Sequence, residues 1–361
     1  MAVRNHTEPI AAARRLQTWL ATNVADGSEV MVSDAKLSTV SGMSNETLLF
    51  DASWAGRRER LVARIAPRDA GIFPKYDLAR EHEVMQALAV HSRVPVPRVF
   101  GREDAPDILG APFLVMECVD GHTLADDPPF TVAGWMLEIG SEVRARLNDN
   151  ALRVLVDLHA SDWQAMRLAP QQDSGIDAYI GGLESFFAWA TDAPNPVIEA
   201  GLAWLHNNRP VSESPPCLIW GDARLGNMLF AEDGAVTAAL DWECAQIGVP
   251  EIDLGWWLIM LRHHTEGVGA PLPDGLLGPA DTVARYEELS GRPVPNTAFF
   301  EVLAGVRLSI MMARAAVMMA AAGMLPPDSQ MALNNPATQL VSAMIGLPEL
   351  AGASETFIGR R

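Results

Sequence analysis

The segment Leu218-Ile219-Trp220-Gly221-Asp222-Ala223-Arg224-Leu225-Gly226-Asn227, followed shortly by Ala239-Leu240-Asp241-Trp242-Glu243, sets two carboxylates and a carboxamide between short apolar runs. These residue types suit phosphoryl transfer. That reaction asks little covalent help of a protein. It needs a carboxylate to orient an acceptor hydroxyl and take its proton, and oxygen ligands to hold Mg2+ on the phosphates. Asp222 suits the first task, Asn227 and Asp241 the second. Alone, an Asp-x-x-x-x-Asn spacing most often marks turn formers and Asp241 a loop carboxylate. The flanking pattern adds weight: residues 217–220, 228–230 and 236–240 read as short strands, the last two joined at Asp233-Gly234, a pair that favours a type I′ hairpin. The three polar side chains would then gather at one end of a small sheet, and Glu243 would lie close enough to Asp241 to touch metal or acceptor.

A nucleotide donor asks for more: a loop over its phosphates, a cation on a nearby strand, and a helix carboxylate that holds the cation. Residues 30–40, 47–54 and 59–65 read as strands, the first two joined by Ser41-Gly42-Met43-Ser44-Asn45-Glu46. This loop has one glycine, but small Ser41 and Ser44 would let backbone N–H groups approach phosphate, with a plain hairpin turn as the equal alternative. In Leu61-Val62-Ala63-Arg64-Ile65 a single guanidinium interrupts an apolar strand, and once desolvated it needs a partner. Across a helix at 77–91, Leu78, Glu81, Met85 and Leu88 share one face while Glu83 lies nearly opposite. An acid within that stripe is costly unless paired, so Glu81 is expected on Arg64; the alternative is an edge strand with a solvated Arg64. Phe113-Leu114-Val115-Met116-Glu117-Cys118-Val119 runs from an apolar strand into a connector where backbone groups near Glu117 and Val119 would meet adenine.

Around these residues the chain changes character once. The β-rich part ends near residues 117–121, and the rest reads as helices at 135–161, 176–190, 197–207, 254–264, 281–290, 297–323 and 337–345. This gives an α+β chain with an N-terminal lobe over 1–117 and a mainly helical C-terminal lobe over 118–361, in keeping with a length of 361 residues. His159 and His263-His264 fall at expected helix C-termini, where the macrodipole favours them without catalysis, and Asp253 reads as a helix cap. The methionines at 311, 312, 318, 319 and 324 read as core packing.

Lys and Arg number 27 against 45 Asp and Glu, a net charge of −18, and no stretch gathers the basic residues. Binding to nucleic acid or to an anionic membrane is therefore not expected. The three cysteines, Cys118, Cys217 and Cys244, are too scattered for a disulfide framework, so a cytoplasmic location is expected. No secretory pattern opens the chain, and the most apolar stretch, residues 310–325, contains Arg314 and reads as a buried helix.

Taken together, Gly42-Met43-Ser44-Asn45, Arg64, Glu81, the connector at 116–121, Trp220-Gly221-Asp222 to Asn227, and Asp241-Trp242-Glu243 resemble the aminoglycoside phosphotransferase and choline kinase-like family, in order and spacing. The resemblance implies a protein-kinase-like bilobal fold, ATP with Mg2+ as donor, and O-phosphorylation of a small-molecule acceptor. It implies Asp222 as catalytic base and Asn227 and Asp241 as metal ligands. Ser44, Asn45, Arg64, Glu81, Glu117 and Val119 would serve the nucleotide. Trp220 stands where the family has His, a residue that packs and positions the loop, and Arg64 where Lys is commoner. The glycine-poor loop and Trp220 support an alternative, a nucleotide-binding pseudokinase or regulatory module without phosphotransfer.

Overall fold

The computed structural model describes residues 6–38, 45–69, 71–170, 175–211, 214–352 and 354–356. The chain divides into two compact units, Met1–Val90 with Pro95–Asp120, and His91–Val94 with Gly121–Arg361.

The first unit opens with α1 (Pro9–Asn23), which begins where Pro9 follows Glu8; the Glu8 carboxylate caps the N–H groups of Ile10 and Ala11. The strands β1 (Met31–Leu37), β2 (Glu46–Trp54) and β3 (Arg57–Ile65) follow. After α2 (Leu78–His91) come β4 (Val99–Glu103) and β5 (Phe113–Glu117). The antiparallel sheet has the order β1-β2-β3-β5-β4. Alternation along β2 buries Leu48, Phe50, Ala52 and Trp54, which pack with Leu16, Trp19 and Leu20 of α1. Ala55 and Gly56, both at positive φ, form the two-residue turn that sets Trp54 opposite Arg57. With β2 on one side and β5 on the other, β3 is not an edge strand, which removes the solvated-edge reading of Arg64.

The second unit carries α3 (Trp135–Glu138), α4 (Ser141–His159), α5 (Ile176–Ala190) and α6 (Pro196–Asn207). The expected helix over 135–161 is thus two, parted at Ile139 and Gly140, whose extended backbone breaks the ladder. Next come β6 (Cys217–Ile219), β7 (Met228–Phe230), β8 (Val236–Ala239) and β9 (Gln246–Gly248), then α7 (Glu251–His264), α8 (Pro279–Ser290), α9 (Thr297–Ala321) and α10 (Pro336–Met344).

The expected single small sheet is two ribbons, β6 with β9 and β7 with β8. Strand β9 went unread because three residues before Val249-Pro250 show no alternation. The hairpin turn also differs from type I′. Gly234 donates to Ala231 O, Glu232 and Asp233 keep negative φ, and only Gly234 is left-handed at 87°, the pattern of a type I turn closed by a glycine bulge.

Helix α7 starts earlier than expected, so Asp253 lies within its first turn rather than capping it. Helix α9 packs against α5, α6, α7 and α10. It is the one helix among the described residues long and apolar enough to cross a membrane, at mean hydropathy 1.6, and 78% of that stretch is buried within the protein.

Candidate active site

The turn between β6 and β7 is held from behind by a buried acid. Asp253 of α7 accepts the N–H of Trp220 at 2.6 Å and of Gly221 at 2.7 Å. Gly221 sits at φ 78°, and a Cβ there would run into the Cys244 carbonyl, so only glycine suits the position. Its own carbonyl accepts from Arg307 Nη1 of α9. Asp222 therefore follows a residue held at both its N–H and its carbonyl.

Three donors orient the Asp222 carboxylate. Trp256 Nε1 reaches Oδ1 at 2.6 Å and Arg224 Nε reaches the same oxygen at 3.1 Å, while Asn227 Nδ2 donates to Oδ2 at 2.6 Å and to the Asp222 carbonyl at 2.9 Å. The side chain keeps 18% of its surface exposed, enough to meet a substrate group. Arg224 Nη1 grips both oxygens of Asp126, at 2.7 and 2.9 Å, and His264 Nε2 lies 3.3 Å from Asp126 Oδ1. Burial disfavours the Arg224 cation, but Asp126, Asp222 and Asp241 outweigh it and raise its pKa.

Asn227 closes the short 3-10 turn Leu225–Asn227, and its carbonyl accepts from Leu240 N at 2.8 Å, so Asp241 follows directly across the β7/β8 ribbon. Asp241 holds a left-handed φ of 62°, which Asp tolerates better than most residues. Trp220 ties the two segments together, its Nε1 donating to Leu240 O at 3.0 Å and Asp241 O at 3.1 Å while its ring stacks on Trp242 with centroids 4.9 Å apart. Trp220 thus packs and positions the loop, the task expected of the residue at this place.

The donor set suits a hard cation. Because the Asn227 amide nitrogen faces Asp222, its Oδ1 is the atom left to ligate, and Asp241 adds a carboxylate. No group of three or more His, Cys, Asp or Glu side chains poised for a metal exists among the described residues. Asn227 Oδ1 and the Asp241 carboxylate are the oxygens here that could hold a cation such as Mg2+, which is usually bound by one or two protein oxygens together with phosphates and waters.

In the first unit, Arg64 Nε lies 3.5 Å from Glu81 Oε1, with the side chains 11% and 1% exposed. Leu78, Met85 and Leu88 are buried beside Glu81 on α2, while Glu83 is exposed. Asn45 is buried just before β2, whose Thr47 pairs with Arg64. Glu117 pairs with Leu61 of β3, its N–H donating to Arg98 O at 2.8 Å, and half-buried Val119 follows Cys118, whose N–H reaches Arg60 O at 2.8 Å. Ser41, Gly42, Met43 and Ser44 of the expected phosphate loop lie outside the described residues.

Several residues that hold the site were not foreseen. Asp253 also meets His159 Nε2 at 3.1 Å, and His159 Nδ1 meets the Tyr286 hydroxyl at 2.7 Å, so His159, which ends α4 as expected, also braces the acid. His263 and His264 end α7 as expected, and both are buried. Arg307 lies 4.3 Å over the Trp256 ring and donates to Cys244 Sγ at 3.3 Å. Burial disfavours its charge, and the surrounding Tyr179, Cys244, Asp222 and Asp253 more than offset that. One signal was present: Asp253 and Arg307 each interrupt a helix apolar nearly all round, where an ionised group must have a partner. Asp126 carries no such signal.

Known proteins share this architecture. A candidate aminoglycoside phosphotransferase from Ralstonia eutropha JMP134 superposes with a TM-score of 0.67 at 24% identity, over 92% of this chain and 95% of its own. The aminoglycoside phosphotransferase APH(4)-Ia, as a thermostable mutant in a ternary complex with AMP-PNP and hygromycin B, superposes at 0.59 with 16% identity, over 92% and 98%. At these identities the likeness shows a shared fold: the kinase-like arrangement of a five-stranded antiparallel sheet followed by a mainly helical region. Acyl-CoA dehydrogenase family member 11 of Mus musculus is 26% identical over 286 residues, 74% of this chain and 34% of that protein. The chain spans about a third of the length of the curated relatives it matches. Residues 38–289, which contain the Arg64–Glu81 pair and Asp222 with its three side-chain donors, match the phosphotransferase enzyme family, APH, and the chain belongs to that family.

Proposed function

We propose that this protein transfers a phosphoryl group from ATP to a hydroxyl of a small molecule. What carries the reading is Asp222, a partly exposed carboxylate aimed by Trp256, Arg224 and Asn227, on a turn anchored to Asp253. Such a group orients an acceptor hydroxyl and takes its proton as oxygen attacks the γ-phosphorus and the bond to the β-phosphate oxygen breaks. Asn227 Oδ1 and the Asp241 carboxylate would hold Mg2+, which when bound neutralises phosphate charge. Arg64, braced by Glu81, would grip the phosphates, with Ser44 and Asn45 beside them. Backbone groups at Glu117 and Val119 would take adenine. Arg224 stays charged next to Asp222 and adds a cation beside the transferred group. Family membership and the nucleotide in the APH(4)-Ia complex support this reading.

The test is ADP release from Mg-ATP over a panel of hydroxylated metabolites and antibiotics. Asp222→Asn should lower turnover roughly a thousandfold while Mg-ATP still raises the melting temperature. Near-wild-type turnover by that variant would remove Asp222 as the base. Nucleotide binding by the wild type with no turnover on any acceptor would favour the regulatory module.

A further inference from the structure

A cavity of about 240 Å3 opens in the second unit between the start of α7, the end of α8 and the segment at Ser214. Four prolines, Pro215, Pro250, Pro293 and Pro295, with Leu254 and Val294, make its walls rigid and apolar. Its polar groups are few and specific. Glu251 is only 4% exposed; its Oε1 accepts from Ser214 Oγ, and its Oε2 has no hydrogen-bond partner. Arg292 donates from Nη2 to the Tyr286 hydroxyl at 3.2 Å and has no carboxylate within 4.0 Å among the described residues.

A buried carboxylate and a cation with no carboxylate partner among the described residues thus line one cavity without closing on each other. The Glu251 Oε2 atom is closed off from bulk water, and a buried carboxyl oxygen left without a donor is costly. The size limits the occupant: 240 Å3 exceeds the ~150 Å3 that encloses benzene and falls below the ~300 Å3 at which pockets for drug-sized ligands begin.

We propose that this cavity binds a small dipolar molecule, an aliphatic amino acid in its zwitterionic form, with the ammonium on Glu251, the carboxylate on Arg292 and the aliphatic body against the prolines. Both charges are then paired, and the apolar walls are covered by the ligand's carbon chain. Tyr286 forms part of the wall and also touches His159, the neighbour of Asp253, so the cavity borders the anchor of the Asp222 turn. The proposal does not depend on which acceptor is phosphorylated, or on phosphotransfer at all.

Titration calorimetry on the full chain tests it with glycine, L- and D-valine, L- and D-leucine, 4-aminobutyrate and 5-aminopentanoate, and with isobutylamine and isovalerate as single-charge controls. At least one amino acid should bind, and both controls should bind about tenfold more weakly or not at all. Glu251→Gln, which keeps an acceptor for Ser214, and Arg292→Gln should each weaken that amino acid by about tenfold or more. No binding by any amino acid up to about 10 mM, binding that survives both substitutions, or a control that binds as tightly would each overturn the proposal. Should Glu251→Gln fail to fold, Arg292→Gln and the two controls decide the matter.

Discussion

Asp253 and Trp220 are joined by a 2.6 Å hydrogen bond in which a fully buried carboxylate accepts a backbone N–H, and the other oxygen of Asp253 takes the next N–H, that of Gly221. Two successive amides on one carboxylate fix the direction in which the chain enters Asp222. His159 completes the shell around the acid, so the site rests on an ion-and-dipole cluster inside the helical unit rather than on the strands that flank it. Replacing Asp253 by Asn retains one good acceptor and sets an amide N–H against a backbone N–H at the other oxygen's place.

Asp253→Asn should accordingly fold with stability reduced by about 1–3 kcal/mol, while kcat falls about a hundredfold through misplacement of Asp222. Urea denaturation and steady-state ADP release read the two effects separately. A variant with unchanged kcat would show that the anchor does not govern Asp222.

Trp256 allows a finer test, because its ring and its N–H do different things. The ring carries Arg307 at 4.3 Å, and the N–H holds Asp222 at 2.6 Å. Trp256→Phe keeps an aromatic face for Arg307 and removes the donor. Turnover should drop about tenfold, from the loss of a hydrogen bond to a charged group, with the melting temperature lowered by a few degrees at most. A drop in kcat matched by global unfolding at the assay temperature would count against a positioning role.

In the first unit the Arg64–Glu81 pair is nearly sealed, at 11% and 1% side-chain exposure. Glu81→Gln leaves a guanidinium on a central strand with a neutral neighbour. That should cost about 3 kcal/mol of stability, the usual penalty for removing one charge of a buried pair. On the proposed function it should also raise KM for ATP more than it lowers kcat. The double variant Glu81→Gln, Arg64→Met should recover part of the stability and none of the ATP affinity, which separates the packing role from the binding role. Equal stability of wild type and Glu81→Gln would mean that the pair is solvated in solution.

The candidate residues of the two units were unequally legible in sequence. Arg64 and Glu81 could be matched because each broke a local period, one in a strand and one in a helix, and the same physics demanded that they meet. Asp222, Asn227 and Asp241 were legible as a spacing, and the fold places Asn227 on Asp222, with Asp241 beyond the neighbouring strand. What was not legible is long-range. Asp126 and Arg224 are 98 residues apart, and Arg307 and Gly221 are 86 apart, so no window along the chain contains either pair. The two-ribbon arrangement was missed for a related reason: β9 is recognisable only by its partner β6, since three residues carry no period of their own.

His263 ties the stability of this unit to pH. It is 5% exposed, its Nδ1 has no hydrogen-bond partner, and it meets the edge of the His264 ring at 5.4 Å. Burial, with His264 and Arg224 nearby and Asp126 opposing them, pushes its pKa down to about 3 from an ordinary 6.5. Between those values the unfolded chain binds a proton that the folded chain refuses. The contribution of a neutral His263 is therefore complete above pH 6.5 and is lost as pH falls, by up to ~1.4 kcal/mol per pH unit, levelling off near pH 3. Going from pH 7 to pH 5 should cost about 2 kcal/mol through this residue alone. His263→Phe, which keeps an aromatic ring against His264 and cannot titrate, should lose about that much less than wild type over the same interval. Urea midpoints at the two pH values, with m-values compared to check that the transition stays two-state, measure the difference. Equal losses in the two proteins would assign the acid sensitivity to other groups.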